Sequence, residues 1–438
     1  MIATADCLSQ KLGPLGSRVK IWVREYSRRW WETPSEPPVP EITYPSSEKK
    51  GLERELTDLI DRLAAEQESL SVDGRTWDSE RLDRWAVGLR PFVKRVLGRA
   101  AVPLESVYDA RFVESTRQFI AAARDFDPEI GIDSVYQALR NVWIMNTLQY
   151  FLEIEVQHTD AIFGYSMVYP YLDNVLDDTG TTRQDKLCLL LKLKNWLEGE
   201  RELPHGPGED KLLALIRRIE GQFPRTQHPG VYQSMLTIYN AQVKSLLQQR
   251  EVHPPYAADI LGISMEKGGT SVLADGYLAG GTLTPNQEDF CFGFGTFLQL
   301  ADDLQDIAED VRRGHMTLFS QTAGRYPLDP LVYKLLRFMS QVVDQTLDAG
   351  NSRQLALQNV IRRACTLMYM ESVGKHSAFF SRACARRFQK AFPVRFSYLK
   401  KMRQTLQDRL LTGHRKISDL DPVSTALLTF SSRALSLD

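Results

Sequence analysis

The feature that most constrains this chain is an acidic stretch at residues 295–314, GTFLQLADDLQDIAEDVRRG. At helical spacing its acids fall within about 120° of the helix circumference, and the residues just before them are apolar. Like charges four residues apart repel, and a bound cation removes that cost. Oxygen-only ligands favour Mg²⁺ or Ca²⁺ over zinc or copper. An ordinary acidic surface helix is the alternative. The five acids are Asp302, Asp303, Asp306, Glu309 and Asp310.

A second acidic cluster lies at residues 171–178, YLDNVLDD. Asp173 and Asp177 are i,i+4 partners on a helix, and Asp178 follows directly. Two such helices facing each other across an apolar pocket would hold several Mg²⁺ ions, which would in turn hold a diphosphate. Arg183 and Lys267 are candidate contacts to that diphosphate, and Asp275 is a candidate outer carboxylate of the metal site.

Composition excludes several other classes of protein. With 54 basic and 55 acidic residues among 438, the formal net charge is −1, so there is no general nucleic-acid signature. Five scattered cysteines without a CxxC pair favour reduced thiols and a cytoplasmic setting. No signal peptide and no apolar run of about 20 residues is recognisable.

The hydrophobic pattern from residue 51 onward is helical nearly everywhere, which predicts one large all-α domain at 51–438. Residues 1–50 are predicted to form an appendage with a helix at 15–33 and a proline-rich linker at 34–46. That helix is rich in tryptophan and in Lys/Arg, so it either packs on the main body or touches a membrane. Gly268 and Gly269 predict a local break in a helix at 256–281, with close helix packing as the alternative.

Residues 351–416 concentrate positive charge, with fifteen Lys/Arg against two acids. Most of these cations are expected to face solvent or anionic lipid. A few are expected to reach the mouth of the acidic pocket, where a released diphosphate needs neutralising.

Roughly residues 135–400 resemble the class I isoprenoid synthase superfamily, whose members ionise allylic diphosphates between two Asp-rich helices. LDNVLDD resembles the D-x-x-x-D-D motif of squalene and phytoene synthases, and Tyr277-Leu278-Ala279-Gly280 resembles the Y-V-A-G of squalene synthases. Asp302, Asp303 and Asp306 resemble the second D-D-x-x-D of trans-polyprenyl synthases. The acidic stretch also matches the G-x-F-L-Q…D-x-x-E-D-x-x-x-G block at Gly295, Phe297, Leu298, Gln299, Asp306, Glu309, Asp310 and Gly314.

The chain also departs from these families. Ala274 stands where squalene-type enzymes have a catalytic tyrosine, and Arg183 stands alone where chain-elongating enzymes have an arginine pair. The N-D-x-x-S-x-x-x-E motif of ordinary terpene cyclases is absent. The chain therefore resembles most closely the divergent bacterial class I terpene synthases built on a squalene-synthase-like plan.

Residues and resemblance together imply an all-α class I isoprenoid synthase bundle around a central apolar cavity. The implied reaction is Mg²⁺-dependent ionisation of an allylic prenyl diphosphate, with cyclisation or elimination of the carbocation and release of diphosphate. Three Mg²⁺ ions would accompany the diphosphate. A prenyltransferase using the same metal site is the alternative, and a non-enzymatic helical protein that binds calcium or a partner is a third. Peripheral membrane contact and a homodimer are left open.

The implied site residues divide into three roles. The expected catalytic residues are Asp173, Asp177, Asp306 and Tyr277. The expected substrate contacts are Arg183, Lys267, Tyr165, Tyr169, Phe294, Phe297 and Gln299, the aromatic ones because ring faces stabilise cations. The expected metal ligands are Asp173, Asp177, Asp178, Asp302, Asp303, Asp306 and Asp310.

Overall fold

The structure is a computed structural model that describes residues 13–38, 42–72, 92, 95–96, 110–177, 181–206, 208–249, 258–344 and 352–406. Within those ranges it is all-α, as predicted, and contains no strand. The helices before the acidic stretch are α1 (Pro14–Glu32), α2 (Ser46–Val72), α3 (Ala110–Phe126), α4 (Ile132–Phe151), α5 (Asp160–Asp177), α6 (Arg183–Glu198), α7 (Glu209–Gln222), α8 (Pro229–Ser245) and α9 (Ile260–Gly280). The remaining helices are α10 (Pro285–Gln305), α11 (Ile307–Arg313), α12 (Asp329–Asp344), α13 (Ser352–Lys375), α14 (Arg382–Ala391) and α15 (Phe396–Leu406).

Helices α9 and α10 form the most extensive helix pair and lie at the centre of the fold. Helices α4, α5 and α8 pack against α9, and α12 and α13 pack against α10. Both central helices begin at side-chain caps. Asp259 accepts a hydrogen bond from the Gly262 amide (2.9 Å), and Thr284 forms a capping box with Gln287 ahead of Pro285.

Two glycines allow the backbones of α9 and α10 to approach closely. A Cβ on Gly268 would lie 2.3 Å from the carbonyl oxygen of Gly295, and a Cβ on Gly295 would lie 2.0 Å from that of Gly268. The break predicted at Gly268-Gly269 is wrong, because α9 is continuous from Ile260 to Gly280. The glycines instead let two backbones touch, which was the alternative.

The N-terminal arm is docked on the body. On α1, Tyr26 and Trp30 are almost fully buried, and the Tyr26 hydroxyl donates to the Asp289 carbonyl (3.0 Å). Arg18 pairs with Glu288 on α10, whose carboxylate also accepts from the Tyr277 hydroxyl. Helix α2 begins at Ser46, so the helical body starts before the predicted boundary at residue 51.

Several cations of the basic C-terminal region hold the N-terminal segments. Arg363 donates to the Tyr44 hydroxyl (2.7 Å), Arg387 to the Pro38 carbonyl (2.9 Å), and Arg395 to the Glu53 carboxylate (2.6 Å). Arg363 is buried and Arg387 half-buried, whereas Arg395 and most other described cations of the region are exposed, as expected. None of the three residues lines the acidic cavity. Cations of this region beyond residue 406 lie outside the described residues.

No helix among the described residues is long and apolar enough to cross a bilayer.

Candidate active site

Four of the predicted metal ligands line one cavity of about 400 Å³ at the end of α10. They are joined there by Lys267 of α9 and by Gln299, both of which were predicted to contact substrate. All nine lining residues are polar or charged, which suits an ionic ligand group. They are Gln249, Lys267, Gln299, Asp302, Asp303, Asp306, Asp310, Arg313 and His315.

The acidic stretch is not one helix. Helix α10 ends at Gln305, Asp306 has left the helical conformation (φ −96°, ψ 9°), and α11 begins at Ile307. The helical wheel therefore fails after Asp306. Glu309, expected on the acidic side, is exposed and pairs instead with Arg312 (3.3 Å) and Arg313 (2.5 Å). Aspartate is a weak helix former whose side chain competes for backbone groups, and this break places Asp310 against the other acids.

Asp303 is the most buried acid of the cavity, 5% exposed. Its carboxylate accepts from Gln299 Nε2 (2.9 Å) and from the Ser264 hydroxyl (2.9 Å). Burial raises the pKa of Asp303 to about 6, with a contribution from the Asp302 charge, against the lowering effect of these hydrogen bonds. Asp303 is thus held in place by α9 and by its own helix.

The pKa of Asp310 reflects its burial and its repulsion by the other acids of the cavity. Burial, followed by the charges of Asp303, Asp306 and Asp302, raises the pKa of Asp310 to about 7. A carboxyl that resists ionisation for this reason gains most from a nearby cation.

Two cations and a histidine from three different segments also line the cavity. Lys267 lies on α9, Arg313 on α11, and His315 in the turn that follows. Burial and the charges of Lys267 and Arg313 lower the pKa of His315, which favours the neutral imidazole. Sequence reasoning missed Gln249, Arg313 and His315, since no local pattern connects them to the acids. The G-x-F-L-Q block did point to Gln299.

The second acidic cluster lies on the C-terminal part of α5, which runs antiparallel to α9. The Tyr165 hydroxyl meets that of Tyr169 (2.7 Å), which meets the Ser271 hydroxyl (3.0 Å). Tyr165 lies one turn earlier on α5, nearer to Asp275 of α9, and burial raises its pKa.

The side chains of Asp173, Asp177 and Arg183, and all of Asp178, lie outside the described residues. By the register of α5, the backbone at residue 173 lies one turn beyond Tyr169. Lys267 lies one turn before Ser271 on α9. Helix α5, which carries the second acidic cluster, therefore ends at the level of the acidic cavity.

Three of the predicted aromatic residues pack away from the acids. The Tyr277 hydroxyl donates to buried Glu288, within the contact that holds α1. Phe294 and Phe297 pack on one another, with ring centroids 5.0 Å apart, and Phe294 lies 6.4 Å from Phe151 of α4. The structure thus does not bring Tyr277 together with the acidic cavity, although the resemblance made it a catalytic candidate.

Asp275 is fully buried on α9, two turns from Lys267, and neither carboxyl oxygen has a hydrogen-bond partner. Burial raises its pKa well above the ordinary value. It does not line the acidic cavity.

The donor set of the cavity fits Mg²⁺ shared with a phosphate ligand. Among the described residues, no three His, Cys, Asp or Glu side chains are grouped to hold a metal ion by themselves. Mg²⁺ is commonly bound by one or two carboxylates, with substrate phosphates and water completing its shell. Four carboxylates around one cavity, with Lys267 beside them, match that requirement.

A scan against models of protein families found no match, and searches of curated proteins and of solved structures found none either.

Proposed function

We propose that this protein is a Mg²⁺-dependent class I terpene synthase that ionises a single allylic prenyl diphosphate, then cyclises the carbocation or eliminates a proton from it. The observation that carries this proposal is the cavity shared by Asp302, Asp303, Asp306, Asp310 and Lys267, toward whose level the second acidic helix runs. Helix bundles commonly build their ligand sites from side chains on facing helices.

The chemistry follows from charge. Mg²⁺ bound at the acids would neutralise the departing diphosphate, the main obstacle to ionisation. Lys267 is placed to donate to the diphosphate oxygens, and Gln299 and Ser264 hold Asp303 in one orientation. Asp173 and Asp177 would complete the site from α5.

The hydrocarbon end of the substrate requires apolar surroundings, because water would quench a carbocation. The acidic cavity is polar and fits the diphosphate end only. We assign the hydrocarbon end to the side of Tyr165 and Tyr169, which lie along α5 from the level of the acids toward Asp275. Ring faces there would stabilise positive charge by about 1–2 kcal/mol.

A prenyltransferase that elongates chains would need a second basic cradle for a second diphosphate. The basic C-terminal region was the candidate for that cradle, but Arg363, Arg387 and Arg395 bind the N-terminal segments. These three cations are therefore not available for a second diphosphate.

Incubation with geranyl, farnesyl and geranylgeranyl diphosphates, each with and without isopentenyl diphosphate, tests the proposal. We expect diphosphate release and a hydrocarbon or alcohol product from one allylic substrate alone, lost in EDTA and restored by Mg²⁺. A product longer than the substrate, formed only with isopentenyl diphosphate, would show a prenyltransferase instead. Full turnover in the chelator would exclude the metal mechanism.

Substitutions in the acidic cluster add a matched comparison. Asp173→Ala, Asp177→Ala and Asp306→Ala should each lower kcat at least about a hundredfold, an effect of about 2.7 kcal/mol. Glu309→Ala removes an acid from the same stretch that faces away from the cavity, so it should keep kcat within about twofold. Equal losses in all four variants would contradict the assigned roles.

A further inference from the structure

The outer face of helix α1 plays no part in the proposed reaction. Lys20, Ile21, Arg24, Arg28 and Trp31 fall within about 100° of the helix circumference. All five are exposed, and Ile21 and Trp31 are 61% and 62% exposed although their side chains are apolar. The opposite face of the same helix is buried in the body of the protein. The outer face is therefore displayed on a rigidly docked helix.

Positive charge dominates this face and its surroundings. Arg24 and Arg28 lie between Ile21 and Trp31 along the helix, and Lys20 directly precedes Ile21. Arg28 also pairs with Glu32 (3.0 Å) at the C-terminal end of this face. Lys334 of α12 lies over the Trp31 ring, with its Nζ atom 5.7 Å from the ring centroid, and donates to the Trp31 carbonyl (3.0 Å). An exposed indole among cations combines an apolar body with charges that attract an anionic surface.

We propose that the outer face of α1 docks the protein onto the surface of an anionic lipid bilayer. Tryptophan and isoleucine would enter the boundary between headgroups and acyl chains, and the Lys and Arg side chains would remain at the level of the lipid phosphates. The charge pattern argues for this occupant over a second copy of the chain, because two copies would bring like-charged faces together.

The docking is independent of the proposed reaction, although the two are compatible. A prenyl diphosphate and its hydrocarbon product both partition into membranes, so an enzyme with such a substrate would benefit from residing there. Vesicle co-sedimentation measures the docking alone, so a protein that fails to bind vesicles could still catalyse the proposed reaction.

Co-sedimentation of the full chain with vesicles of phosphatidylcholine, with and without phosphatidylserine, tests the proposal. We expect binding to the anionic vesicles alone, weakened by high salt. The double variant Lys20→Gln/Arg24→Gln should lower partitioning roughly twentyfold. Trp31→Ser should lower it by about tenfold through lost apolar burial.

The matched control is Leu203→Ser/Arg217→Gln, which removes an exposed apolar side chain and a cation from the α6–α7 region. It should bind vesicles like the wild type, and thermal melting should show all variants folded. The proposal is overturned if the wild type stays in the supernatant with anionic vesicles, or if the α1 variants bind as well as the control. It is also overturned if size-exclusion chromatography shows a dimer that the α1 variants abolish, since the face would then join two copies of the chain.

Discussion

Asp275 is the residue whose environment has the clearest consequence for stability. Its carboxyl is fully buried without a hydrogen-bond partner, and its pKa is raised by that burial. Above about pH 4 the unfolded chain loses this proton while the folded chain keeps it. The contribution of the protonated Asp275 carboxyl to the free energy of unfolding is fully present below the pKa of the unfolded chain. It is lost as the pH rises toward the pKa of the folded chain, by at most about 1.4 kcal/mol per pH unit.

Asp275→Asn keeps the shape of the side chain but removes the titrating proton. We expect the variant to match the wild type near pH 4 and to exceed it increasingly in free energy of unfolding up to pH 8, measured by urea denaturation at each pH. Asp58→Asn, the same change at an exposed position on α2, controls for net charge. A constant difference between Asp275→Asn and the wild type at every pH would contradict this account.

Those residues of the acidic cavity that belong to a local sequence pattern could be predicted from the sequence. The spacing of Asp302, Asp303 and Asp306 placed those acids together, and they do share one cavity. His315 and Arg313 follow the helix break at Asp306. A helical wheel assumes one continuous helix, so it cannot predict which side residues beyond the break will face. Tyr277 belongs to a segment that resembles a motif of squalene synthases, but its hydroxyl donates to Glu288, an interaction across eleven residues that no periodicity indicates.

At the scale of helices, the crossing of α9 and α10 is set by glycine. We expect Gly268→Ala to lower the free energy of unfolding by about 2 kcal/mol, because the new Cβ meets the Gly295 backbone rather than a flexible side chain. That cost exceeds the roughly 1 kcal/mol that alanine gains in helix propensity. Thermal or urea unfolding measures the difference.

Gly221 near the end of α7 is the matched control, because a Cβ there meets nothing within 4 Å. Gly221→Ala should stabilise the protein by up to about 1 kcal/mol. If both alanine variants were stabilising, the two central helices could separate without cost, and the close crossing would not matter to the fold.

Helix type was well predicted by hydrophobic periodicity, while helix interruptions were not. The sequence pattern placed a break at Gly268-Gly269, where tertiary contact between backbones outweighs the poor propensity of glycine. It placed no break at Asp306, where the backbone leaves the helical conformation. The first error arises because the Gly268–Gly295 contact is distant in sequence, and the second because hydrophobic periodicity carries no signal for an interruption within a helical pattern.

At the scale of the whole molecule, a buried charge ties the arm to the centre. Glu288 is 2% exposed and is paired with the partly exposed Arg18 and with Tyr277. Arg18→Met leaves that carboxylate without its cation, so we expect a loss of about 2 kcal/mol in the free energy of unfolding. Adding Glu288→Gln should recover part of the loss, since an amide oxygen still accepts from Tyr277. Additive losses in the double variant, measured by urea denaturation, would count against this coupling.

The docking of α1 also has a consequence for how the chain is made. Arg18 and Glu288 are 270 residues apart. Lys49 donates to the carbonyl of Phe392, which is 343 residues later in the chain. At a synthesis rate of about 5–20 residues per second, the partner of the arm leaves the ribosome on the order of tens of seconds after the arm itself. During that interval Tyr26 and Trp30 have no surface to cover them, which makes the nascent arm a binding site for chaperones. The helices that give α1 its place, α8 to α10 and α12, all follow it by about 200 residues or more along the chain.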